Sequence, residues 1–189
     1  ADTKNYGDNR RSPIIERKDA EAFSHTDVME VTPITTILSD NGWIKSAKGH
    51  EIDPEKVKFK SGDSLLCHTR TRSDKPIIFI DNTGRSYMLY SYTLPSARGN
   101  GEPLTGHLSI QPDAQIKFMF SSANNDLFLV GADSGYGFII SFSNFLTKNK
   151  NGKSVITLKQ KTSLLSPEHV VELKSDLVAA FTSKGRLLL

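Results

Sequence analysis

Four glycines recur at matching places in a repeated pattern, Gly42, Gly84, Gly135 and Gly185, spaced 42, 51 and 50 residues apart. Each closes a short polar turn between two apolar runs. The first lies in Ile37-Leu38-Ser39-Asp40-Asn41-Gly42-Trp43-Ile44, the second in Ile77-Ile78-Phe79-Ile80-Asp81-Asn82-Thr83-Gly84-Arg85-Ser86-Tyr87. The third has residues 127–130 before Gly135-Tyr136-Gly137-Phe138, and the fourth has residues 177–181 before Gly185-Arg186-Leu187-Leu188. A tight hairpin needs a residue of positive φ, which glycine adopts freely and a residue with a Cβ adopts only at a cost. Hairpins repeating every ~40 to 50 residues predict an all-β, propeller-like array of small sheets.

The 189 residues suffice for a substantial core, and length alone permits one or two domains. No apolar run approaches the roughly 20 residues of a membrane helix, and the opening Ala1-Asp2-Thr3-Lys4-Asn5-Tyr6 is unlike a signal peptide. A cytoplasmic chain without a membrane span is expected. The lone Cys67 excludes an intramolecular disulfide framework and a zinc site built on clustered cysteines.

Charge is informative by its distribution. The formal net charge is +3, but residues 1–30 hold five Lys/Arg against seven Asp/Glu, leaving nineteen against fourteen over residues 31–189. Lys148, Lys150, Lys153, Lys159 and Lys161 fall in one stretch without an acid, and Lys56, Lys58 and Lys60 crowd another. Such a surface suits a polyanion; the alternative is a set of solvated loops.

Residues 1–30 carry no repeat glycine and read as a charged entry segment, with a short helix expected over residues 12–23, where Ser12 caps and Pro13 occupies the first turn. The array covers residues 31–189. Four strands are expected per unit; in the second they are residues 65–67, 77–80, 86–90 and 104–110. The turn Arg72-Ser73-Asp74-Lys75-Pro76 has counterparts in Ala123-Asn124-Asn125-Asp126 and Lys174-Ser175-Asp176. Ser46-Ala47-Lys48-Gly49 recurs as Ser96-Ala97-Arg98-Gly99, and Thr147-Lys148-Asn149-Lys150-Asn151-Gly152 takes the corresponding place in the third unit. A cation beside a glycine in all three predicts an electropositive edge. Leu189 follows directly on the fourth hairpin, so the array is expected to belong to a longer polypeptide or to lack a last unit.

Partial catalytic matches fail on spacing. Gly152-Lys153-Ser154 resembles the end of a phosphate-binding loop, but Thr147 stands where the first glycine belongs and strand-like Val155-Ile156-Thr157-Leu158 follows in place of a helix. Gly131-Ala132-Asp133-Ser134-Gly135 has its serine one place late for a nucleophile elbow. Cys67 and His68 are adjacent, so on a strand they face opposite ways. The histidines at 25, 50, 68, 107 and 169 lack metal-ligand spacing, and Glu51, Asp53 and Glu55 lack the glycine turn and distal glutamate of a calcium loop. Trp43, Tyr87, Phe138 and Leu188, which follow the turns, are assigned to blade packing.

Gly84-Arg85-Ser86-Tyr87, followed by Thr93-Leu94-Pro95-Ser96-Ala97-Arg98-Gly99-Asn100-Gly101-Glu102-Pro103-Leu104-Thr105-Gly106, closely resembles the repeat of the C-terminal domain of bacterial type IIA topoisomerase A subunits. Gly42-Trp43-Ile44-Lys45-Ser46-Ala47-Lys48-Gly49-His50 and Asp133-Ser134-Gly135-Tyr136-Gly137-Phe138 are similar to the form of that repeat carried by topoisomerase IV, and Tyr6-Gly7-Asp8-Asn9-Arg10-Arg11-Ser12-Pro13 resembles the linker entering the domain. The resemblance covers essentially the whole chain. It implies a β-pinwheel, closed or left as an open or incomplete ring, whose basic rim binds and bends duplex DNA. Gyrase carries a Gln-Arg-Arg-Gly-Gly-Lys-Gly box in its first repeat; residues 45–60 here contain none, which favours the topoisomerase IV form and a role in selecting crossed or catenated duplexes.

The resemblance also implies that catalytic residues, ATP and Mg²⁺ belong to other domains of the holoenzyme, with no cofactor in this segment. Its implied partners are duplex DNA, the N-terminal domains of the same polypeptide and the ATPase subunit. Lys45, Lys48, Arg85, Arg98, Lys148, Lys150, Lys153 and Arg186 are the expected phosphate contacts; Lys45, Arg85 and Arg186 lie within hairpins, where pairing with a neighbouring carboxylate is the alternative. A protein-interaction propeller and a channel-centred enzyme are the competing functional classes.

Overall fold

A computed structural model describes residues 2–7 and 30–189. The helix expected over residues 12–23 lies outside the described residues. Asp2–Tyr6 forms a short helix, α1. The strands in chain order are β1 (Pro33–Ser39), β2 (Trp43–Lys48), β3 (Leu65–Arg72), β4 (Pro76–Asp81), β5 (Arg85–Tyr90), β6 (Glu102–Pro103) and β7 (Ile116–Phe120). There follow β8 (Leu127–Gly131), β9 (Gly137–Ser141), β10 (Lys153–Ser154), β11 (Glu168–Val170), β12 (Ala180–Phe181) and β13 (Leu187–Leu188).

All four glycine turns close antiparallel hairpins, β1–β2, β4–β5, β8–β9 and β12–β13. The glycines take φ of 77°, 84°, 85° and 74°. Each also donates its N–H to the carbonyl three residues earlier: Gly42 to Ser39, Gly84 to Asp81, Gly135 to Ala132 and Gly185 to Thr182, at 2.9–3.1 Å.

Each of the first three hairpins belongs to a blade of its own, central in the first two, but the outer strands come from elsewhere than expected. The first blade has the order β3-β1-β2-β6 and the second β7-β4-β5-β10. Thus β3, expected to open the second unit, completes the first, and a two-residue strand from the following unit closes the far edge of each of these two blades. Residues 104–110, expected as a strand, instead begin with a 3₁₀ turn over Leu104–Gly106. The third blade is three-stranded, β11-β8-β9, among the described residues.

The blades stack through their faces. In β4 every residue is buried, and alternate side chains go to opposite cores. Ile77 and Phe79 join Leu38, Ile44, Tyr87, Leu94, Leu104, Leu108 and Met119 between the first and second blades. Ile78 and Ile80 join Phe128, Val130, Phe142, Phe145 and Leu164 between the second and third. A strand covered on both faces needs a continuous apolar run, which is why Ile-Ile-Phe-Ile does not alternate with polar residues. Phe120, Phe128, Phe142 and Phe145 interlock in the second core with ring centroids 4.8–6.5 Å apart.

Two of the four residues assigned to blade packing are misplaced by that assignment. Tyr87 is fully buried and Trp43 half-buried, but Phe138 is 39% exposed and Leu188 is 71% exposed. Phe138 lies on β9, whose outer edge has no strand beside it among the described residues, and Leu188 lies in the exposed fourth hairpin.

Candidate nucleic-acid interface

Lys148 and Lys150 sit on an exposed loop leading into β10, of which Lys153 is the first residue, and local hydrogen bonds fix the loop's shape. The Asn149 N–H donates to Thr147 Oγ1 at 3.2 Å, the Asn151 N–H to Asn149 Oδ1 at 3.0 Å, and the Gly152 N–H to the Asn149 carbonyl at 3.0 Å. The Lys150 carbonyl accepts from the Ser109 N–H at 3.0 Å, tying the loop to the neighbouring unit. Arg85 completes the fixture. Its guanidinium donates to the Asn151 carbonyl at 3.0 and 3.3 Å and to the Gly152 carbonyl at 3.2 Å. Arg85 is therefore half-buried and occupied by backbone oxygens in place of the carboxylate that was the alternative. Lys153 donates to the Asn144 carbonyl at 3.0 Å yet stays exposed.

Gly152 makes this approach feasible. At φ 70° it lies so close to β5 that a Cβ would stand 2.6 Å from the Tyr87 ring and 2.8 Å from the Ser86 carbonyl oxygen. Gly101, at φ 84°, sits against Ile44 of the first blade in the same manner. These two glycines, 51 residues apart, mark the true repeat of the crossing segment.

Lys48 and Arg98 lie on neighbouring segments, but not as equivalents. Ser46-Ala47-Lys48-Gly49 ends strand β2, whereas Ser96-Ala97-Arg98-Gly99 belongs to the segment crossing from the second blade back to the first. The expectation that they hold corresponding places is corrected by the register: the counterpart of Lys48 in the second hairpin is Tyr90, at the same end of β5. The two segments run side by side instead, bridged at Ser46 and Ser96, with the Ser46 N–H donating to the Pro95 carbonyl at 2.8 Å and the Ala97 N–H to the Ser46 carbonyl at 2.7 Å. Lys48, Lys58 and Arg98 thereby line one open cleft of about 1340 Å³.

Lys45 is not on the rim. It is 1% exposed on the face of the first blade covered by the excursion after β2. Its Nζ donates to the Lys58 carbonyl at 2.5 Å and lies 4.5 Å from the Phe59 ring centroid. Burial pulls its pKa below the usual lysine value, with Asp63 acting in the opposite direction. An ammonium so enclosed has no route to a phosphate, so the structure removes Lys45 from the expected contacts. Arg186 is exposed on the fourth hairpin, where its N–H donates to Thr182 Oγ1 at 3.1 Å.

No family model matches the chain. Over all 189 residues it is 43% identical to the A subunit of DNA topoisomerase 4 from Escherichia coli (strain K12), and over 188 residues 42% identical to that from Pseudomonas aeruginosa. Among solved structures, the E. coli ParC C-terminal domain superposes with a TM-score of 0.78 at 40% identity, over 82% of this chain and 63% of that one. The chain belongs to the A-subunit family of topoisomerase IV. It spans 25% of the length of those two relatives. It corresponds to their C-terminal domain, which is a non-catalytic β-pinwheel of a type IIA topoisomerase. The DNA gyrase A C-terminal domain shares the fold, with a TM-score of 0.57 at 18% identity over 73% of this chain and 48% of that one.

Among the described residues no group of three or more His, Cys, Asp or Glu is placed to hold a metal ion, and no helix is long and apolar enough to cross a membrane. Asp53 caps the 3₁₀ turn Pro54–Lys56, accepting from the Glu55 N–H at 3.1 Å and pairing with Lys56 at 3.0 Å. The half-buried Cys67 thiol is pushed up to about 12 by burial and secondarily by Asp40, which keeps it protonated and unreactive near neutral pH.

Next to the hairpin tips lie two lysine–aromatic pairs that sequence reasoning missed. Lys60 Nζ stands 3.5 Å from the Trp43 ring centroid and Lys159 Nζ 4.7 Å from that of Tyr136. Both lysines appear in sequence only as members of charge runs. The available signal was the aromatic residue directly after two of the turn glycines.

Proposed function

We propose that this domain binds and bends duplex DNA without sequence preference and so helps topoisomerase IV select crossed or catenated duplexes for decatenation and relaxation. The observation that carries the reading is the hydrogen-bonded Lys148–Lys150–Lys153 segment, three exposed cations on a backbone held by Arg85 and Gly152. Lysines on an ordered loop neutralise phosphates and release counterions with little further loss of conformational freedom. Backbone contacts of this kind carry no base information, hence the lack of sequence preference. Bending the duplex costs a few kcal/mol, and contacts on successive blades offset it.

The partners in this reading are duplex DNA, the N-terminal domains of the same polypeptide and the ATPase subunit, in the cytoplasm of a bacterium and associated with its chromosome. DNA cleavage, ATP and Mg²⁺ are assigned to those other parts. The test is fluorescence anisotropy of linear and pre-bent duplexes of equal length across a salt series. Steeply salt-dependent binding that favours the bent duplex supports the reading. Absent or salt-insensitive binding would turn the assignment to a protein-interaction module.

A further inference from the structure

The residue immediately after the turn glycine is Trp43 in the first hairpin, Arg85 in the second, Tyr136 in the third and Arg186 in the fourth. Two hairpins thus place a guanidinium there and two place an aromatic ring. In both aromatic cases a lysine from the chain that follows the hairpin lies over the ring, Lys60 over Trp43 at 3.5 Å and Lys159 over Tyr136 at 4.7 Å. Every hairpin tip therefore carries a cation, from one of two sequence sources.

We propose that Lys60 and Lys159, held over Trp43 and Tyr136, are phosphate-contacting residues for duplex DNA at the first and third hairpin tips, the positions that Arg85 and Arg186 take in the second and fourth. The proposal rests on the DNA-binding reading above and names contacts outside the loop from which that reading was argued.

The chemistry of the pairs supports the role. Both lysines are exposed, and among the described residues the ion pairs involve neither of them. A ring face attracts the ammonium without neutralising it, so the full charge remains for a phosphate on the side away from the ring. A lysine stem is flexible and its charge compact and strongly hydrated; anchoring over a ring restricts the stem before binding, as the guanidinium bonds of Arg85 restrict that side chain. Tyr136 is 68% exposed, beside the β9 edge that no strand covers among the described residues, so its ring face is open to the Lys159 ammonium. The spacing of the tips by 42 to 51 residues is the repeat itself, so the cations recur once per hairpin.

The experiment compares wild type with Lys159→Gln, Tyr136→Leu and Trp43→Leu by duplex anisotropy over a salt series, with urea denaturation to confirm folding. Lys159→Gln is expected to reduce the slope of log K against log salt by about 0.9, the loss of one phosphate contact. Tyr136→Leu keeps the charge, so the slope stays while affinity falls about two- to five-fold. Trp43→Leu is expected to act likewise through Lys60, and because Trp43 is half-buried the exposed Tyr136 provides the variant that leaves packing intact. Wild-type affinity and slope in both Lys159→Gln and Tyr136→Leu would overturn the proposal while leaving the DNA-binding reading standing. Absence of duplex binding by wild type would overturn both.

Discussion

Asp81 and Tyr87 tie the second blade together, and their removal gives a sharp test of how the hairpin is held. The Asp81 carboxylate is fully buried and accepts four hydrogen bonds: from the Thr83 N–H at 2.8 Å, Thr83 Oγ1 at 2.6 Å, the Arg85 N–H at 3.0 Å and the buried Tyr87 hydroxyl at 2.9 Å. In Asp81→Ala the Tyr87 hydroxyl is left unpartnered in the core, at about 1–3 kcal/mol. Loss of the side-chain acceptor for two turn N–H groups adds about 1 kcal/mol by analogy with helix caps. The expected cost is about 3 kcal/mol, a large part of a domain's usual stability.

The same pair sets a pH signature. Burial, then the hydrogen bond to Asp81, pushes the Tyr87 hydroxyl up to about 12. Because the folded-state value is raised, the stabilisation is fully present below about pH 10, where an unfolded tyrosine titrates, and is lost as pH rises from there through about 12. At about 1.4 kcal/mol per unit, the Tyr87 contribution to that alkaline fall is about 3 kcal/mol. Urea denaturation followed by circular dichroism from about pH 8 to 12 is expected to show this component in wild type and not in Tyr87→Phe; Cys67 titrates alike in both and cancels. Loss of under about 1 kcal/mol in Asp81→Ala, or an unchanged alkaline fall in Tyr87→Phe, would refute the reasoning.

Gly152→Ala forces a Cβ into the Tyr87 ring and the Ser86 carbonyl at a positive φ; a loss of about 3 kcal/mol or more in urea denaturation is expected, together with weaker duplex binding as the loop moves. Lys45→Met replaces an enclosed ammonium by an apolar side chain of similar length, and is expected to shift stability by no more than about 2 kcal/mol with duplex affinity and salt slope unchanged; a slope reduced by a full phosphate contact would return Lys45 to the rim. Asp126 is held below the usual carboxylate range by the Ser122 hydroxyl, then the Ala123 N–H, with His169 adding to the effect. Its stabilisation is present above the ordinary carboxylate pKa and lost as pH falls, so Asp126→Asn is expected to flatten the acid limb of the stability profile measured by urea denaturation.

The hairpins were legible because positive φ leaves a mark in the sequence, a glycine at a fixed place after a polar turn. The strands handed between blades were not. β6 and β10 are two residues each, too short for any periodicity, and their signal is only the glycine before them. Residues 104–110 misled because Leu104 and Leu108, four apart, are both buried by a turn in which the Leu108 N–H donates to the Leu104 carbonyl at 3.0 Å. Ser46-Ala47-Lys48-Gly49 and Ser96-Ala97-Arg98-Gly99 look like a repeat yet are neighbours in space with different roles. Lys45 shares a strand face with Ala47, and only the folding of the later Phe59 over that face shows it to be interior. The lysine–aromatic pairs join residues 17 and 23 positions apart across irregular chain, where no local pattern reports contact.

The central claim is that the loop fixed by Arg85 and Gly152 is a phosphate-binding edge, and the most direct test is the salt slope of duplex binding by the variant Lys148→Gln/Lys150→Gln/Lys153→Gln against wild type. Three lost phosphate contacts predict a slope smaller by about 3, weaker binding at low salt and an unchanged urea midpoint. Wild-type slope and affinity in the folded triple variant would contradict the account.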